Sequence, residues 1–121
     1  MRFVSIAVAI ALFAHGFAHV VGFVGPWRLS TKIPYKTTIL AGRAELGDVG
    51  IKIVGVLWLL LALDFALLAW GAAGRSAWWE KGTLITAGGS LLLCLVDWPD
   101  ARIGALVNTA IIAILLALRA R

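Results

Sequence analysis

The sequence predicts an all-α protein: a single domain over residues 1–121 built as an integral membrane, antiparallel four-helix bundle. Three observations predict it. Hydrophobic residues make up 62% of the chain and charged residues 14%, against about half and about a quarter in soluble domains. Apolar runs, each with at most one ionisable side chain other than His, recur at roughly 3–27, 53–74, 82–96 and 103–118. Trp27, Trp78, Trp79 and Trp98 lie beside the ends of these runs, where amphipathic rings favour a membrane interface.

Crossing the hydrocarbon takes about 20 helical residues, so helix one (about 3–26) and helix two (about 49–73) span comfortably. Helix three (about 78–97) and helix four (about 100–119) reach that length only by including Trp78 and Trp79 at one end and the stretch from Asp97 to Arg102 at the other. The hairpin between them therefore belongs at the membrane surface. The runs lack the alternation of barrel strands, and four strands cannot close a barrel. The start "MRFVSIAVAIALFAHG" resembles a signal peptide, but its apolar character continues to Val24, longer than a usual signal core, and the segment is read as helix one. Pro26 and Pro34 end that helix. In the long loop that follows, 37–46 is expected to form a short helical turn, and Asp48 to cap helix two. Asp100 is expected to cap helix four. Gly16, Gly22, Gly55, Gly88, Gly89 and Gly104 fall inside the helices, where small residues let backbones approach closely in lipid.

The net charge is +5, but the basic residues sit at the ends of the apolar runs and form no patch outside them. The expected contacts are therefore lipid headgroups and not nucleic acid, which calls for a basic face with stacking aromatics. Arg2, Arg75, Lys81, Arg119 and Arg121 fall on one side, Arg28, Lys32, Lys36, Arg43, Lys52 and Arg102 on the other; this near balance assigns no orientation. Cys94 is the single cysteine, so no internal disulfide and no CxxC motif exist. Other membrane subunits or a homodimer are the protein partners such a bundle would have.

The candidate chemistry begins at "FAHGFAHVVGF". His15 and His19 are four residues apart, so both imidazoles share one face of helix one with Ala11 and Gly22. Such a pair can bind a metal with at least one further donor. Two rings on one side of one helix cannot clamp a haem from both faces, so a haem would need a single histidine or a ligand from another helix. The alternatives are a proton-handling or polar ligand site, or neutral rings that hydrogen-bond between helices. No cofactor is implied by any of these last readings. Acyl transfer and hydrolysis lack a positioned nucleophile and base.

On helix four, Asp100, Gly104 and Asn108 form a polar stripe descending from one end. On helix three, Thr83, Ala87, Ser90, Cys94 and Asp97 form another. An intramembrane Asn needs a hydrogen-bonding partner, so Asn108 and Ser90 also read as links between helices, and Cys94 as a small core residue. At a rise of 1.5 Å per residue, His19 lies about 9 Å below the end of helix one and Asn108 about 12 Å below Asp100. The two share a depth. Glu45 and Asp48 stand above them in this topology, predicting a polar pocket that opens at one surface and is floored by His15. Asp64 lies apart, about 24 Å beyond Asp48 along helix two. There it is a proton-relay or ligand candidate, or else a neutral acid or the partner of Arg2, Arg75 or Arg119.

The patterns HGxxHxxGF (His15–Phe23) and W-x-DA-[KR]-x-G-x-x-x-N (Trp98–Asn108), with tryptophans at the ends of helix three, resemble an uncharacterised family of small four-helix bacterial integral membrane proteins. The resemblance covers nearly the whole chain. It implies the topology, a multi-pass location in a bacterial inner membrane, and interest in His15, His19, Asp100, Gly104 and Asn108, but no reaction. The first loop is longer and more basic here than in that family. Small multidrug transporters share the length and helix count but need a carboxylate in helix one, and no acidic residue precedes Glu45. The functional expectation is an accessory or ligand-binding bundle, with a metal- or haem-binding redox protein and a small transporter or proton-relay subunit as alternatives.

Overall fold

The computed structural model describes residues 2–121 and is mainly helical. Its elements are α1 (Arg2–Ala18), α2 (Val21–Val24), β1 (Thr38–Ile39), β2 (Ala44–Glu45), α3 (Gly47–Ala73), α4 (Trp79–Val96) and α5 (Arg102–Arg119). α1 packs along α3, α3 along α4 and α4 along α5, each pair antiparallel.

Three helical stretches are long and apolar enough to cross a membrane: 2–24, with α1 and α2 taken together, α3 and α5. α4 falls short of that measure, because Glu80, Lys81, Thr83, Thr86 and Ser90 interrupt it. The inner face of α4 carries two of these, Thr83 and Ser90, both fully buried.

The bundle is closed at one end and open at the other. At the end that holds the chain termini, Ala9 and Leu12 of α1, Phe65, Leu68, Ala69 and Ala72 of α3 and Ala87 of α4 form one apolar cluster, which Ile111 and Ile112 of α5 complete. Gly16 lets α1 settle directly on Phe65: a Cβ there would stand 2.5 Å from the Phe65 Cβ and 3.2 Å from the Ala62 carbonyl. At the opposite end Trp58, Leu93, Cys94 and Ala105 join only α3, α4 and α5. α1 contributes nothing to this second cluster, so a space is left between α1, α2 and α5.

Several local expectations are corrected. Helix one is interrupted at His19 and Val20, whose amides donate to Gly16 and Phe17 three residues back instead of four. Segment 37–46 is a hairpin, not a helical turn: Thr38 pairs with Glu45 and Ile39 with Ala44. Its turn places Leu40, Ala41 and Gly42 in the left-handed region. Asp48 does not cap α3, whose N-cap is Leu46; it lies in the first turn and binds Arg28 at 3.2 Å and the Tyr35 hydroxyl. Asp100 does not cap α5, whose N-cap is Ala101. Gly88 and Gly89 make no close helix contact, since a Cβ on either meets nothing within 4 Å.

The loop between α2 and α3 is tied down on both flanks. The Trp27 indole donates to the Lys52 carbonyl at 3.1 Å, and the Arg28 guanidinium lies 3.9 Å from the centre of the Tyr35 ring. Across the bundle, the Leu40 amide donates to the Val96 carbonyl at 2.8 Å, and the Lys36 ammonium contacts Asp100 and lies 3.8 Å from Asp97. The loop therefore straps α3 to the α4–α5 turn and crosses above the gap beside α1.

Candidate functional site

The site begins with a backbone irregularity. In an uninterrupted helix the His19 amide would donate to the His15 carbonyl. Here it donates to Gly16 at 3.0 Å, and the His15 carbonyl accepts instead from Nδ1 of the His19 ring at 2.8 Å. A carbonyl only accepts, so His19 Nδ1 carries a proton. In the neutral ring Nε2 is then an acceptor, and the Ser90 hydroxyl 2.6 Å away donates to it.

The remaining protons follow in sequence. Having donated to His19, Ser90 Oγ accepts from the Asn108 amide at 2.8 Å. That fixes the amide orientation and leaves Asn108 Oδ1 facing His15 Nε2 at 2.9 Å, so His15 Nε2 is the donor. The opposite amide orientation would require His19 to donate from both nitrogens and carry a charge. The second Asn108 hydrogen points toward Cys94 Sγ at 3.6 Å. One network thus joins α1, α4 and α5, with Asn108 and Ser90 fully buried and His19 nearly so. No buried side-chain nitrogen or oxygen among the described residues lacks a partner.

Aromatic edges hold the rings laterally. His15 stands edge-on to His19 with centroids 4.7 Å apart and to Phe65 at 4.9 Å; His19 meets Trp58 at 5.2 Å. Gly22 is packed against the Trp58 ring, leaving no room there for a Cβ.

Above the network lies a cavity of about 680 Å³. His15 and His19 line its inner part, Ile51, Val54, Trp58, Ile103 and Val107 its apolar walls, and Lys36, Asp97 and Asp100 its mouth. Burial pushes the Asp97 carboxyl above its ordinary range, with Asp100 adding to the rise and Lys36 opposing it.

Of the sequence candidates, the structure brings together His15, His19, Asn108, Asp97 and Asp100. It does not bring Glu45 and Asp48 to the cavity. Glu45 lies at the end of the hairpin and accepts from the Gly47 amide at 2.9 Å; its carboxyl is held below the ordinary range by hydrogen bonds from Thr37 and Gly47. Asp48 belongs to the Arg28–Tyr35 cluster, so the acidic mouth comes from the α4–α5 turn. Asp64 is exposed on the outer face of α3 beside Leu57, Leu60, Gly89 and Leu92, and forms no ion pair with Arg2, Arg75 or Arg119 among the described residues. For a metal, the donor set is poor. Among the described residues no group of three His, Cys, Asp or Glu side chains converges, and His19 has both ring nitrogens engaged.

Two contributors were not singled out from sequence. Lys36 reaches the mouth only because the loop folds back over it, for which no local pattern exists. Trp58 carried a signal: the other tryptophans considered lie near helix ends, while it sits mid-run, where a ring serves packing or a site. In comparisons with models of protein families, with curated proteins and with solved structures, the chain matches none.

Proposed function

We propose that this protein is a membrane-embedded helical bundle that binds a small amphiphilic molecule in the cavity above His15, without catalysing a reaction on it. The outer faces support the membrane reading. Phe3, Ile10, Phe13 and Phe17 run along the outside of α1, with Phe3 89% exposed. Ile53, Leu57, Leu60, Leu63 and Leu67 do the same on α3, and Leu106 and Ile114 on α5. Soluble monomers rarely expose contiguous apolar surfaces of this extent, while His19, Thr83, Ser90 and Asn108 are buried inside. On this reading α4 spans as the fourth helix, its polar face turned to the others, and the chain takes the topology of the bacterial membrane family it resembles.

The observation that carries the ligand reading is the cavity itself: apolar walls around a few converging polar groups, at a size suited to a small molecule. The test fills it. Val107→Trp places a large ring from α5 in the cavity. The protein is expected to fractionate with membranes through alkaline wash and to yield a co-purifying small molecule by mass spectrometry, which the Val107→Trp variant lacks. Soluble behaviour would overturn the membrane reading, and an unchanged small-molecule profile the ligand reading.

A further inference from the structure

The network leaves one ring nitrogen uncommitted. His15 donates from Nε2 to Asn108, so Nδ1 of the neutral ring holds a lone pair. That nitrogen has no hydrogen-bond partner among the described residues and is not a buried orphan, and His15 lines the cavity. An acceptor at the floor of an apolar chamber selects for a donor. The mouth argues the same way. Among the described residues Lys36 is the single cationic side chain lining the cavity, and it is engaged with Asp97 and Asp100. Nothing free remains to neutralise an anionic headgroup.

We propose that the cavity recognises an aliphatic molecule ending in a neutral O–H group, an alcohol, which donates to His15 Nδ1 while its chain lies along Ile51, Val54, Trp58, Ile103 and Val107. This rests on the ligand-binding reading above and adds the headgroup. An ether or ester of the same chain presents only acceptors and would face the His15 lone pair unpaired. Leaving such a group unsatisfied costs about 1–3 kcal/mol, or roughly 5- to 150-fold in affinity.

The test uses the full chain in lipid nanodiscs with ¹⁵N-labelled histidine, at a pH above the imidazole range, titrated with decanol or decyl methyl ether. Before addition, two-bond proton–nitrogen spectra are expected to show His15 protonated at Nε2 and His19 at Nδ1. Decanol is expected to shift the His15 Nδ1 resonance at concentrations about tenfold or more below those at which the ether binds. In His15→Phe that preference is expected to vanish while both probes still bind. The spectra of the unmodified protein decide the matter even where this variant fails to fold. Equal binding of the two probes, or His15 protonated at Nδ1, overturns the headgroup assignment alone. Binding of neither overturns the ligand reading with it.

Discussion

His19 Nε2 lies 2.6 Å from Ser90 Oγ, and this contact between the α1–α2 break and α4 carries the donor order from His19 on to Asn108 and His15. The hydroxyl donates to the ring and accepts from Asn108 at the same time, so its loss strands two buried groups at once. Ser90→Ala is expected to destabilise the protein by about 1–3 kcal/mol, the cost of leaving a buried polar group unsatisfied. Detergent unfolding followed by circular dichroism measures it; a change below a few tenths would mean that water replaces the hydroxyl.

Between α1 and α5 the hydrogen-bonded link among the described residues is one pair, His15 and Asn108. A double-mutant cycle of His15→Ala and Asn108→Ala is expected to give a coupling of about 0.6 kcal/mol and at most about 2, the range for polar contacts between membrane helices. Additive effects would show that the two side chains do not act on each other.

Glycine positions divide by what surrounds them. Gly22→Val forces a branched side chain into the Trp58 ring and is expected to cost about 1–3 kcal/mol, as overpacked sites do. Gly89→Ala meets open space and is expected to be neutral or to stabilise by up to about 1 kcal/mol through helix propensity. Thermal melts of both variants separate the two environments.

At the mouth, Asp97 holds its proton more tightly in the folded chain than an unfolded chain would, because it is buried. A folded carboxyl with a raised pKa adds most stability at low pH, and that contribution declines as pH rises from the ordinary carboxylate value through the folded one. Asp97→Asn is therefore expected to flatten the stability profile across that interval. Lys36→Met removes the cation that opposes the rise, so Asp97 is expected to titrate higher still, read by ¹³C carboxyl shifts. A downward movement would contradict the pairing.

Asp64 stands about 14 Å from the lower end of α3 at 1.5 Å per residue, on the face turned away from the bundle. If α3 spans a bilayer, a carboxylate at that depth weakens its insertion. Asp64→Leu is expected to favour insertion of the isolated segment by about 3 kcal/mol in a translocon assay. No effect would place the residue outside the hydrocarbon.

Helix positions and the shared depth of His19 and Asn108 were legible because they follow from run lengths and from 1.5 Å per residue. The mouth was not. Glu45 and Asp48 stand at the correct end by the same counting, but the loop turns them toward the hairpin and toward Arg28, contacts that depend on chain reversal at Leu40–Gly42. Asp100 looked like a cap because caps are local; Lys36, sixty-four residues away, takes its carboxylate instead. The break at His19 also escaped the sequence, since neither proline nor glycine occupies the position and the cause is a side chain competing for a backbone carbonyl.

That competition limits which residues the chain can accept at position 19. An apolar replacement would deprive the His15 carbonyl of its donor unless the helix straightened to reclaim it, and straightening would swing Val21–Val24 and draw Gly22 off Trp58. In an exhaustive substitution scan, position 19 should therefore tolerate only side chains that can hand a proton back one turn, whatever the cavity holds, while position 15 should answer to the ligand.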